Sequence, residues 1–181
     1  MADSLPMASA PFIYDDAGRV DWGTMWTSFC DLALNGGPPH RGFFLAASPL
    51  AVVDSVAWQR VAAEIARGVT ATTGCVPAVA AATEPGWLAF AIDSPVLASW
   101  LAVAIIAEGV DARAMGAALW LPVAESYGIG EIKNVITAMA KTHHSARQHA
   151  GIGAAAVPTD ATKTLLRAAL GGVLTADRST R

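Results

Sequence analysis

Charge is scarce in this sequence. Aspartate, glutamate, lysine and arginine make up 15% of its 181 residues, well under the roughly 25% usual in soluble domains. A chain with so little polar material covers itself poorly, so self-association or a protein partner is expected. Lysine is scarcer still, at Lys133, Lys141 and Lys163 only. The formal net charge is −3. A nucleic-acid binder carries a basic excess or a Lys/Arg stripe, and neither is present. The tryptophans are scattered and not interleaved with basic residues, as core or edge anchors are.

Cysteine is nearly missing. Cys30 and Cys75 are far apart and form no CxxC pattern, so a reduced pair in a cytoplasmic protein is expected. Long apolar runs are missing too. The greasiest stretch, PVLASWLAVAIIA at 95–107, has 13 residues, short of the about 20 that span a bilayer. No membrane span is expected. The N-terminus lacks the basic start and apolar run of a secretory signal. There is no GxGxxG after a strand, no Walker loop, no GxSxG and no glycosidase-like pair of carboxylates around Glu125 and Glu131. No cofactor follows from the sequence.

What is present has a readable order. Residues 1–20 are expected to be a flexible arm, with a turn at Asp16-Ala17-Gly18 able to close a small hairpin over 12–22. Asp21 is a plausible cap for a helix over 22–34, where Trp22, Met25, Trp26, Phe29, Leu32 and Ala33 recur at helical spacing. Asn35-Gly36-Gly37-Pro38-Pro39 forces a loop. Strand-like runs at 43–47, 76–82, 87–92 and 117–123 alternate with helical patterns at 53–70 and 95–109. This order predicts an α+β fold with a ferredoxin-like (βαββαβ) core, an added N-terminal helix and long C-terminal helices at 128–149 and 160–174. One domain is expected over 21–175, with a frayed tail at 176–181.

The long helix at 128–149 collects the rare side chains. It holds two of the three lysines and three of the four histidines. At about 100° per residue, Ile132, Val135, Ile136, Met139 and Ala140 form one buried face. Lys133, Thr137 and His144 share a flank, with Lys141 and Asn134 just beyond. His143 falls inside the apolar stripe. A row of cations with a hydroxyl suits a carboxylate or phosphate. The competing reading is a solvated flank, with a histidine near the helix end favoured by the macrodipole. The second pole is the proline-stiffened loop, where His40 and Arg41 sit.

The sequence therefore predicts a site for a small anionic metabolite between that loop and the helix. Arg41, Lys133, Asn134, Thr137, Lys141 and His144 would bind the anion. If the protein is an enzyme, His40 or His143 would carry protons, because histidine titrates near neutrality. One alternative is a non-catalytic homo-oligomeric scaffold or an accessory subunit of a larger complex. Another is a metal-dependent enzyme with histidine ligands, for which Cys30 and His149 are weak candidates. The histidine spacings fit no HxxxH pattern.

Overall fold

Asp15 and Gly18 make the first tight turn. The computed structural model describes residues 11–27, 44–48, 52–53, 55–78 and 84–148, all within the compact unit Met1–His149. The Asp15 carboxylate accepts from the N–H groups of Ala17 and Arg19 at 3.0 and 2.9 Å, and Tyr14 bridges Val20 across the turn. Asp21 then caps the helical residues 22–27 (α1), its Oδ1 accepting from the Thr24 N–H at 3.0 Å. This cap is the one expected from the sequence.

The second helix, α2 (Val56–Thr73), starts at Ser55, whose hydroxyl accepts from the Trp58 N–H. It stops at Gly74, which takes φ 78° and donates its N–H to Thr70. That left-handed stop favours glycine. Its buried residues Trp58, Val61, Ala62, Ile65, Val69 and Thr72 follow helical spacing. β1 (Trp87–Ala91) leads to α3 (Pro95–Ala107), which Ser94 caps with Pro95 in the first turn. β2 (Arg113–Met115) and β3 (Ala118–Pro122) form a hairpin around Gly116 at φ 59°. α4 (Ile129–Gln148) closes the described chain.

The fold is α+β, with an antiparallel sheet in the order β1-β3-β2. Its register places Leu88 opposite Leu121 and Phe90 opposite Leu119 on the core face. The other face carries Arg113, whose guanidinium lies 4.3 Å from the Trp87 ring and 4.8 Å from the Trp120 ring. Glu84 pairs with Arg113 beside this stack.

The ladder does not establish a ferredoxin-like core. Within the described residues, the expected first strand contributes one parallel bridge, Leu45 to Val110, and the expected second strand one bridge, Pro77 to Phe90. β3 stands beside β1, and β2 is a strand absent from the sequence reading. Its three residues are too few to show an alternation of their own.

α4 packs on α2 and α3, with α1 and Phe12 against a further side. Residues 132, 133, 135–140, 142, 143 and 146 are all buried. The polar flank is therefore not a solvated face. α2 and α4 pack tightly at Gly68, where an added Cβ would lie 2.2 Å from Ile136 Cδ1.

Candidate functional site

Lys133 is 4% exposed on α4, deep for a residue that almost always reaches water. Its ammonium lies 4.7 Å from the centre of the Phe12 ring. An aromatic face attracts a cation there. Loss of hydration still pushes the Lys133 amine below the usual lysine range.

One turn on, Thr137 is also buried. Lys133, Ile136, Thr137 and Ala140 from α4 line a cavity of about 20 Å³ with Thr72 from α2 and Trp22, Met25 and Trp26 from α1. That is room for about one water molecule or an atom group of similar size. The Trp22 indole N–H donates to Glu64 at 2.8 Å. The Trp26 indole N–H is buried with no hydrogen-bond partner among the described residues. A buried donor left unpaired costs free energy, so such groups call for an explanation.

The rest of the expected strip divides. His144 lies on the same flank, its ring 4.9 Å from that of Trp26. Its Nε2 is 3.0 Å from the Thr72 carbonyl oxygen and donates there, at the C-terminal turn of α2. Lys141 faces α3, its Nζ 2.8 Å from Glu108 Oε1. Asn134 is half-buried on the neighbouring side of the helix. Lys133 and Thr137 are thus brought to one cavity, while Lys141 is matched to a carboxylate elsewhere. His40 and Arg41 lie outside the described residues, as do Cys30 and His149.

The start of α4 holds its own carboxylate. The Gly128 N–H donates to Glu131 at 3.0 Å.

His143 enters a different environment. It is 5% exposed, and its Nε2 lies 3.6 Å from Cys75 Sγ. Its Nδ1 is buried with no partner among the described residues. Burial pushes the His143 imidazole down; Arg147 and His144 push the same way, and Asp93 opposes them. Burial pushes the Cys75 thiol up, against a smaller pull from Thr73. Both groups are therefore neutral at neutral pH. Cys75 was not singled out by its sequence. The one available signal was its place just after Gly74, where a helix stop turns the chain back towards the core.

Among the described residues no three His, Cys, Asp or Glu side chains are placed to hold a metal ion, and no helix is long and apolar enough to cross a membrane. No family model matches the chain, and no curated protein or solved structure matches it.

Proposed function

We propose that this chain binds a small anion at Lys133, with Trp26 and Thr137 completing the site. One observation carries the reading. A buried ammonium and an unpartnered indole N–H belong to side chains that line the same cavity. Both are donors, and the matching ligand is an acceptor with negative charge. The cavity volume narrows the class to a compact anion or the carboxylate head of a larger metabolite. A negative charge beside Lys133 favours the charged amine, against the burial that disfavours it.

The test is thermal melting at constant ionic strength with formate, acetate, chloride and phosphate. A ligand at a hundredfold excess over its dissociation constant stabilises a fold by about 2.7 kcal/mol. Formate or acetate should raise the melting temperature of the parent and of Lys141→Met. The shift should vanish in Lys133→Met, provided circular dichroism shows that variant folded. An equal shift in Lys133→Met would remove the proposal.

A second reading, a homo-oligomeric scaffold or accessory subunit, draws on exposed apolar side chains. Val56 is 84% exposed, and Val52, Val76, Val96 and Met115 are each more than half exposed. Native mass measured over a dilution series tests it.

A further inference from the structure

Cys75 and His143 come together away from the Lys133 cavity, and the anion reading makes no use of them. The thiol sits in the turn that follows Gly74, between exposed Gly74 and exposed Val76, and is itself partly exposed. The imidazole approaches from the core side on α4, with Nε2 at 3.6 Å from Sγ. His143 is 5% exposed and carries a buried, unpartnered Nδ1. Buried side-chain polar atoms are in large majority hydrogen-bonded, and an exception calls for an explanation. Here one nitrogen meets only a thiol, and the other meets nothing described.

We propose that Cys75 is a modification site that exchanges with small disulfides, and that His143 carries the proton for the exchange. The Cys75 S–H bond breaks as Sγ attacks one sulfur of the disulfide, and the proton passes to His143 Nε2. A new Sγ–S bond forms and the disulfide S–S bond breaks. The departing sulfur leaves as a thiolate and takes the proton from His143. The thiol and a disulfide thus become a mixed disulfide and a free small thiol, and the incoming disulfide is the oxidant.

The surroundings favour this chemistry over acyl transfer. The Cys75 N–H is already engaged with the Thr73 hydroxyl at 3.1 Å, so it is not available to an oxyanion. Disulfide exchange places its developing charge on sulfur and needs no such donor. The groups that face the pair electrostatically are Asp93 ahead of α3 and Arg147 and His144 on α4. Because burial raises the thiol, very little free thiolate exists at neutral pH. Because burial lowers the imidazole, the base form is already present there.

The experiment follows the rate of mixed-disulfide formation by intact mass, using oxidised glutathione as probe and a Cys30→Ser background so that Cys75 alone reports. An unassisted thiol below its pKa reacts about tenfold faster per pH unit, since only the thiolate attacks. The expected result is a rate nearly flat between about pH 6.5 and 8, above the lowered His143 pKa. His143→Gln should slow the reaction at pH 7 by at least about tenfold and restore the steep climb. Cys75→Ser should abolish the mass gain. A tenfold climb per pH unit in the background protein, no adduct at Cys75, or an unchanged rate in folded His143→Gln would each overturn the proposal. The pH profile needs no histidine variant, so it decides the matter even if His143→Gln does not fold.

Discussion

Lys133 is the residue on which the functional account turns. Its amine is held low by desolvation, so it loses its proton at a lower pH than an ordinary lysine. Anion affinity should fall with it, earlier on the alkaline side than a normal lysine would allow. Titrating formate binding against pH checks this direction. Trp26→Phe keeps an aromatic ring in the cavity wall and removes the unpartnered N–H. It should weaken formate binding severalfold and leave the unliganded melt within about 1 kcal/mol, since the lost donor had no partner to lose. His143 gives a second pH signature at this scale. Its folded-state pKa lies below the ordinary value of 6.5. In the window between the two values the unfolded chain binds more protons, so stability falls as pH drops through it. Chemical denaturation at a series of acidic pH values should show that loss, and His143→Gln should show less of it.

Two contacts between elements test the packing around the site. At Gly68, α2 leaves room for Ile136 of α4. Gly68→Ala would push a methyl into Ile136, and overpacking of this kind costs about 1–3 kcal/mol. Denaturant midpoints measure it. At the end of α3, Glu108 carries a negative charge where the helix dipole is already negative, and Lys141 lies beside it. Lys141→Met removes that counter-charge from a pair less than a fifth exposed. It should cost about 2 kcal/mol without touching formate binding. If it abolished binding instead, the division of the lysines between two environments would be wrong.

Much of this scale was legible in the sequence. Asp21, Ser55 and Ser94 each cap a helix as their side chains predict, whereas the left-handed turns at Gly74 and Gly116 were not read from the sequence. The wheel placed Lys133, Thr137 and His144 on one flank of α4, and all three pack towards α1 and the end of α2. The wheel could not show that this flank was buried, because helical periodicity ranks faces without knowing how many partners the helix has. Nor could it pair Lys141 with Glu108 or His143 with Cys75. Those contacts join residues far apart in sequence, and no local pattern encodes them. The strand β2 was missed for a related reason, since three residues are too few to announce themselves.

Among the described residues, low charge and a helix buried on most sides go with several apolar side chains left on the surface. Assembly remains a separate question from ligand binding, and the two are separable by experiment. Lys133→Met should leave native mass unchanged, because Lys133 faces the cavity and not the surface. The most direct test of the anion site is the indole N–H signal of Trp26 in a nitrogen–proton correlation spectrum, assigned by its loss in Trp26→Phe. Adding formate at constant ionic strength should move that one signal saturably in the parent protein and leave it still in Lys133→Met. A Trp26 signal that stays fixed in the parent, or that moves equally without Lys133, would contradict the account.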